Sequence, residues 1–151
     1  MAYWCPKKSL VPDMPKVFVY GTLRAGEVND LNTAAHRHGI AAPTLLGTGT
    51  IAGRLYDFGT YPGLVLDSTA SPAVGDIYDV PEALLPVLDE IEEVYPGQAS
   101  LFVREEQAVL HQGQPVDCLL YPVADAAVTG LPCINSGDWV AYRKARDTAA
   151  A

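Results

Sequence analysis

The longest β-type stretch of the sequence, TLLGTGTIAGRLYDF over residues 44–58, is rich in β-forming residues but carries three glycines. Those glycines are Gly47, Gly49 and Gly53. Glycine inside a strand pattern is typical of bulges and sharp bends, as at the corner of a barrel. The stretch therefore predicts a strongly curved sheet rather than a flat one.

Other β-type segments are short and separated by turn residues. Gly21 ends an apolar run, and residues 59–63 read as a turn. A hairpin is predicted around residues 112–114. Several short strands with turns between them favour a closed or nearly closed sheet. The predicted strands cover residues 17–20, 64–66, 74–80, 101–110 and 116–123.

Three helices are predicted around this sheet. The first spans residues 30–38 and ends at Gly39, and the last spans 137–146. The clearest spans 81–94, where Pro81 suits the first turn and Pro86 predicts a kink or a restart. The fold class is therefore α+β, a small and mainly antiparallel β-barrel with flanking short helices.

The length of 151 residues fits one domain with one sizeable core. We expect a loose lead-in over residues 1–15, a single domain over 16–147 and a tail over 148–151. With 49% hydrophobic and 19% charged residues, the chain is predicted to be globular.

The charge balance bears on the partners of the protein. A net charge of -8, with no long run of Lys or Arg, argues against nucleic acid, because phosphate binding needs clustered positive charge. The N-terminus lacks the apolar segment of a signal peptide, and no apolar run reaches the length of a membrane span. We therefore expect a cytoplasmic protein that does not contact membranes.

Metal, thiol and serine chemistry have little support in the sequence. The cysteines Cys5, Cys118 and Cys133 form neither a disulfide framework nor a Cys-x-x-Cys pair. His36 and His38 would not share a helical face, and we interpret them as surface or loop residues. A Gly-x-Ser-x-Gly elbow and a phosphate-binding loop are both absent.

The segment from Val17 to Gly26 leads from a strand into a glycine-containing turn. Successive backbone N–H groups in such a turn can converge on an anion and suit a carboxylate. The alternative, which spacing alone favours, is an ordinary turn that ends a strand.

The acidic stretch from Asp89 to Glu93 lies on the clearest predicted helix. The apolar residues of that helix define one face, and at about 100° per residue Glu92 falls roughly 80° from Leu84, at the edge of that face. Glu93 falls on the opposite side. Glu92 is therefore the acid expected to be partly buried, with a raised pKa suited to proton transfer. The alternative is that all these acids form a solvated helix end.

Three further residues have polar side chains in suggestive positions. Arg104 lies in a predicted strand, where it pairs with an acid or anion or sits on the outer face. Tyr121 follows an apolar run and either aims its hydroxyl into a cavity or is a buried structural residue. Ser136 is the expected cap of the last helix.

Taken in order, these segments resemble the γ-glutamylcyclotransferase-like family, which includes AIG2-like proteins. The resemblance covers roughly residues 16–143, nearly the whole domain. Its most specific part is the pair formed by the Tyr20-Gly21-Thr22-Leu23 turn and the later Leu88-Asp89-x-x-Glu92 motif. The turn belongs to a longer matching segment, Val17-Phe18-Val19-Tyr20-Gly21-Thr22-Leu23-Arg24. The other matching segments are Gly59-Thr60-Tyr61-Pro62-Gly63-Leu64, Val74-Gly75-Asp76-Ile77-Tyr78, Phe102-x-Arg104, Tyr121 and Ser136-Gly137-Asp138-Trp139.

The resemblance implies an enzyme that cyclises γ-glutamyl compounds. The turn Tyr20-Gly21-Thr22-Leu23 would bind the α-amino and α-carboxylate end of the γ-glutamyl group, with Arg104 and Tyr121 also at the substrate site. The α-amine would attack the γ-amide carbonyl, with Glu92 as the proton carrier, and release 5-oxoproline and a free amine. It implies a small-molecule substrate and no metal or cofactor, and it carries no prediction of oligomeric state.

Two departures from the family pattern bear on substrate preference. Glu93 stands where the family often has glycine, and Phe102 stands where it often has tyrosine. Two other functions remain compatible with these residues: a non-catalytic protein that binds a small molecule in the same cavity, or an amide-processing enzyme acting on another γ-glutamyl compound.

Overall fold

The structure, a computed structural model, describes residues 15–21, 24, 30–59, 61–91 and 104–150. Its helices are α1 (Leu31–Arg37), α2 (Leu85–Ile91) and α3 (Trp139–Ala150), with short 3₁₀ turns at Glu82–Leu84 and Asp125–Val128. Its strands are β1 (Lys16–Val19), β2 (Thr44–Asp57), β3 (Pro62–Leu66), β4 (Pro72–Asp79), β5 (Glu105–His111), β6 (Gln114–Leu120) and β7 (Cys133–Ile134).

Five strands close into a barrel in the order β2-β4-β1-β6-β5, and β5 pairs back with β2 at Thr50 and Leu110. The β1–β6 pair is parallel, with Val17 opposite Leu119, and the other pairings are antiparallel. Strands β3 and β7 extend β2 outside this ring. The predicted barrel with flanking helices is therefore confirmed, and its closure satisfies sheet edges that would otherwise be open.

Strand β2 continues through all three of its glycines. A register shift between Leu45 and Gly47, where Gly47 has φ 140°, is the bulge predicted for this stretch. Gly49 has a different role, because a Cβ there would lie 2.7 Å from Ile77 Cδ1 and 2.8 Å from Val109 Cγ1. Glycine thus lets the strand pass close to side chains of two neighbouring strands.

The hairpin between β5 and β6 lies where predicted, but its loop is only Gln112 and Gly113, because Gln114 is the first residue of β6. Gln112 and Gly113 have φ values of 53° and 80°, and two successive positive values are typical of a type I′ turn. Leu101–Val103, which belong to the first strand of the predicted hairpin, lie outside the described residues.

The helices follow local signals in the sequence. Asp30 caps α1 by accepting a hydrogen bond from Asn32 N at 2.8 Å, and Gly39 follows its end with φ 66°. The segment after Pro81 begins as a 3₁₀ turn and restarts as α2 at Leu85, next to Pro86. This matches the restart that Pro86 predicted.

The cap expected at Ser136 is wrong. Helix α3 begins at Trp139, and the carboxylate of Asp138 accepts from Ala141 N at 3.2 Å. The Ser136 hydroxyl accepts from Asp138 N at 3.3 Å and so orders the turn before the helix. Helix α3 also runs beyond the predicted end at residue 146, to Ala150.

The core has two parts on opposite faces of β1 and β4. Phe18 and Ile77 belong to a cluster with contributions from all five barrel strands, which is the barrel interior. Val17, Val19 and Tyr78 point the other way, toward Leu31 of α1 and Leu84 and Leu88 near α2. Because alternate residues of a strand face opposite sides, both faces of β1 are buried. No helix in the described part of the chain has the length and apolarity required to span a bilayer.

Candidate active site

The parallel pairing of β1 and β6 brings Tyr20 and Tyr121 to one edge of the barrel, because parallel strands end on the same side. The buried Tyr20 hydroxyl donates to the Tyr121 carbonyl oxygen at 2.6 Å and accepts from Leu64 N at 3.2 Å. One hydroxyl therefore joins the ends of β1 and β6 to the middle of β3.

The turn that follows β1 is closed by a hydrogen bond from Arg24 N to the Gly21 carbonyl oxygen, at 3.0 Å. Gly21 is buried, and a Cβ there would lie 2.6 Å from Pro62 Cγ. Only glycine fits this close approach without displacing Pro62. Thr22 and Leu23, predicted to bind substrate, lie outside the described residues.

The side chain of Arg24 bridges two carboxylates on different elements. Its Nη2 lies 3.3 Å from Asp76 Oδ1 on β4, and its Nη1 lies 3.1 Å from Asp138 Oδ1 at the start of α3. The sequence interpretation gave none of these three residues a role. The sequence feature that could have indicated a role is that each of the three residues belongs to a segment that matches the family.

Asp89 brings together two of the predicted substrate residues. The Tyr121 hydroxyl donates to Asp89 Oδ1 at 2.7 Å, and Arg104 Nη1 lies 3.1 Å from Asp89 Oδ2. Asp89 itself had no predicted role. The sequence feature that could have indicated a role for Asp89 is its position three residues before Glu92, since side chains at that spacing share a helix face.

The predicted proton carrier, Glu92, follows the last residue of α2 and lies outside the described residues, as do Glu93 and Phe102. Leu84 and Leu88, two of the apolar residues used to place Glu92, are fully buried. Leu84 lies in the 3₁₀ turn before α2, so the spacing of about 100° per residue applies only from Leu85 onward. The role of Glu92 thus stays a prediction.

A second charged cluster fixes the loop between β2 and β3. Asp57 Oδ2 accepts from the Tyr142 hydroxyl at 2.7 Å, Asp57 Oδ1 accepts from Gly59 N at 2.6 Å, and Arg146 Nη1 lies 3.1 Å from both oxygens. Burial alone would raise the pKa of Asp57. The hydrogen bonds from Tyr142, Gly59 and Arg146 outweigh it and hold that pKa below its ordinary value. The cluster ties α3 to the loop that leads to Pro62.

Two buried groups near the barrel are held neutral. Burial raises the pKa of Tyr78 to about 12, with nearby Asp30 and Asp76 adding to the shift. Burial likewise raises the pKa of the Cys118 thiol to about 11, which argues against its use as a nucleophile. Among the described residues, no group of three or more His, Cys, Asp or Glu side chains is arranged to hold a metal ion.

Comparison with known proteins gives consistent matches. The family described as γ-glutamyl cyclotransferase, AIG2-like, matches residues 17–141. The γ-L-glutamyl-butirosin B γ-glutamyl cyclotransferase of Niallia circulans is 42% identical over 103 residues, which are 66% of this chain and 61% of that protein's length. The γ-glutamylaminecyclotransferase of Mus musculus is 32% identical over 121 residues, 76% of this chain and 81% of that one.

Solved structures share the fold. An AIG2-like protein from Mus musculus has a TM-score of 0.66 at 27% identity, covering 82% of this chain and 87% of that one. A protein from Pyrococcus horikoshii has a TM-score of 0.62 over 89% of this chain and 97% of its own. At 20% identity the second likeness speaks to the fold alone.

Proposed function

The chain belongs to the γ-glutamyl cyclotransferase, AIG2-like family, and on this basis we propose that it cyclises γ-glutamyl amines. The products are 5-oxoproline and a free amine. The two relatives described above carry names for reactions on γ-L-glutamyl-butirosin B and on γ-glutamylamines, which supports an amine-bearing substrate.

The observation that carries the proposal is a chain of two hydrogen bonds. The Tyr20 hydroxyl bonds the Tyr121 carbonyl, and the Tyr121 hydroxyl bonds Asp89 on α2. The turn after β1 and the helix that leads to Glu92 are therefore connected through one tyrosine. A substrate held at the turn would lie beside the helix that supplies the proton carrier.

In the proposed reaction, backbone N–H groups of the turn Tyr20-Gly21-Thr22-Leu23 hold the α-carboxylate of the γ-glutamyl group. Glu92 accepts a proton from the α-ammonium, and the free amine attacks the γ-carbonyl carbon. A new C–N bond forms the five-membered ring, and the original γ-amide C–N bond breaks as Glu92 returns the proton to the leaving nitrogen. The ring nitrogen then loses its second proton to the released amine, which leaves as an ammonium ion. The attack is intramolecular, so positioning supplies much of the acceleration.

Arg104 and Tyr121 line the substrate site in this proposal. Their shared partner, Asp89, accepts a hydrogen bond from the Tyr121 hydroxyl at 2.7 Å and forms an ion pair with Arg104. Asp89 therefore fixes the orientation of both side chains. The domain over residues 16–147 and the cytoplasmic location stay predictions.

The test measures 5-oxoproline released from γ-glutamyl amino acids, γ-glutamyl amines and ε-(γ-glutamyl)-lysine. We expect release from at least one compound. Glu92→Gln should abolish it, because the amide cannot carry the proton, whereas the control Glu93→Gln should keep most of it.

Two outcomes would count against this proposal in different ways. No release from any compound would favour a protein that binds a small molecule without cyclising it. Loss of activity in Glu93→Gln, with Glu92→Gln active, would move the proton carrier to the neighbouring acid.

A further inference from the structure

We propose that Arg24, Asp76 and Asp138 form a positioning clamp that sets the geometry of the substrate-binding turn. This inference rests on the proposed function, because it assigns a role to residues that hold the turn but do not touch the substrate. The clamp is defined by the two ion pairs of Arg24, one to β4 and one to α3.

The burial of these groups makes the clamp specific. The Arg24 side chain is 12% exposed and that of Asp76 is 8% exposed, so their 3.3 Å contact is largely shielded from water. A buried carboxylate that loses its partner is strongly disfavoured, and this ties Arg24 to one position. The side chain of Asp138 is 33% exposed and forms the second ion pair with Arg24.

Each carboxylate is held by its own element. Asp76 lies opposite Val19 in the β1–β4 pairing, next to the point where β1 leads into the turn. Asp138 Oδ1 accepts both from Arg24 and from Ala141 N, so one oxygen caps α3 and holds the turn. The start of α3 is in turn fixed to β4, because Val74 N donates to the Gly137 carbonyl oxygen at 2.7 Å.

The turn is therefore held at both ends. Gly21 lies against Pro62 at one end, and Arg24 is clamped at the other. The residues between them are the ones proposed to receive the α-carboxylate. Because Gly21 and Arg24 are both held in place, we expect substrate binding at the turn to carry a smaller cost of ordering.

The contacts of Arg24 favour positioning over direct binding. Its two terminal nitrogens are each within 3.3 Å of a carboxylate oxygen, and its Nε is buried. Both terminal nitrogens are thus already paired with carboxylates of the protein. The clamp thus acts through the turn.

The decisive variant is Asp138→Asn. Asparagine caps a helix about as well as aspartate, so α3 should keep its start while the charge on the clamp is lost. We expect KM to rise about fivefold with kcat within about twofold, as for an interaction that acts equally on bound substrate and transition state. The matched control is Asp125→Asn, which removes the exposed partner of Arg54, another arginine shared by two carboxylates; it should leave both constants unchanged.

Hydrogen–deuterium exchange tests the clamp without relying on activity. In Asp138→Asn, peptides spanning residues 20–24 should exchange faster while peptides from β5 and β6 keep their wild-type rates. Arg24→Lys keeps the charge but replaces the two terminal nitrogens of the guanidinium with one, and it should give an intermediate increase in exchange and in KM.

The outcomes separate the two proposals. Unchanged exchange in residues 20–24, or a uniform increase across all peptides, would overturn the clamp, as would a fall in kcat at constant KM. A wild-type protein that releases no 5-oxoproline would overturn the proposed function, and the exchange data would still decide whether the turn is clamped.

Discussion

At the scale of single residues, Asp89 had no predicted role, yet its side chain orients two residues that were predicted to bind substrate. Its carboxylate is 26% exposed and contacts both Tyr121 and Arg104. Arg104 and Tyr121 were predicted from the sequence as substrate residues. The sequence does not show that both side chains contact Asp89, because the distance between a helix and two strand ends depends on packing.

We expect Asp89→Ala to lower kcat/KM by about tenfold, the effect of losing a charged hydrogen bond of roughly 1.4 kcal/mol. Asp89→Asn should have a smaller effect, since its amide oxygen can still accept from the Tyr121 hydroxyl. Steady-state kinetics on an active γ-glutamyl compound measure both variants. Asp117→Ala removes an exposed acid on β6 and serves as the control. Equal activity of Asp89→Ala and wild type would show that Tyr121 and Arg104 need no such partner.

At the scale of elements, local chemistry explains most boundaries and packing explains the exceptions. The cap at Asp30, the positive φ of Gly39 and the turn at Gln112-Gly113 all follow from the preferences of individual residues. The start of α3 differs from prediction because Gly137 lies against β4, which places the first helical N–H groups over Asp138 instead of Ser136.

The contact between α3 and β4 can be tested at Gly137, which has φ 71° and whose Cβ would overlap the Pro72 carbonyl oxygen. Gly130 is a matched control, because it has φ 81° with open space around it. We expect Gly130→Ala to lower the free energy of unfolding by about 1 kcal/mol, the cost of positive φ alone. Gly137→Ala should cost about 1–3 kcal/mol more, because of the steric clash. Urea denaturation measures both, and equal losses would mean that the close approach to Pro72 has no energetic consequence.

At the scale of the whole molecule, Asp57 links the C-terminal helix to the barrel and to the loop before Pro62. Its pKa is lowered in the folded protein, since hydrogen bonds from Tyr142, Gly59 and Arg146 overcome the opposing effect of burial. A carboxyl with a lowered folded pKa stabilises the fold fully above its unfolded pKa, near 3.8. That stabilisation is lost as the pH falls through the folded value.

We therefore expect the free energy of unfolding to decrease as the pH is lowered below about 4. Asp57→Asn should make this decrease less steep. The variant should also be less stable than wild type at pH 7, because the amide that replaces the largely buried Asp57 carboxylate cannot form the ion pair with Arg146. Chemical denaturation measures both effects. It is carried out between pH 2 and pH 7, a range of about five units that brackets the carboxyl titration. Asp117→Asn is the control, and an unchanged slope in Asp57→Asn would mean that other acids dominate the acid response.

The sequence by itself determined the local parts of this protein. Strand-ending glycines, the restart at Pro86 and the position of the hairpin depend on neighbours a few residues apart, and the prediction of a small barrel with short helices followed from them. The family motifs added the Tyr20 turn and Glu92 as candidates for substrate binding and proton transfer.

Only the tertiary structure decided which distant residues meet. Closure of the barrel joins Thr50 to Leu110, and the partners of Arg24 lie 52 and 114 residues away. Such contacts depend on strand order and register, which the local alternation of side chains does not specify. The polar partners that hold the candidate site therefore depend on closure of the barrel, whereas the turn and the helix proposed to bind substrate and carry the proton are identified by short segments of the chain.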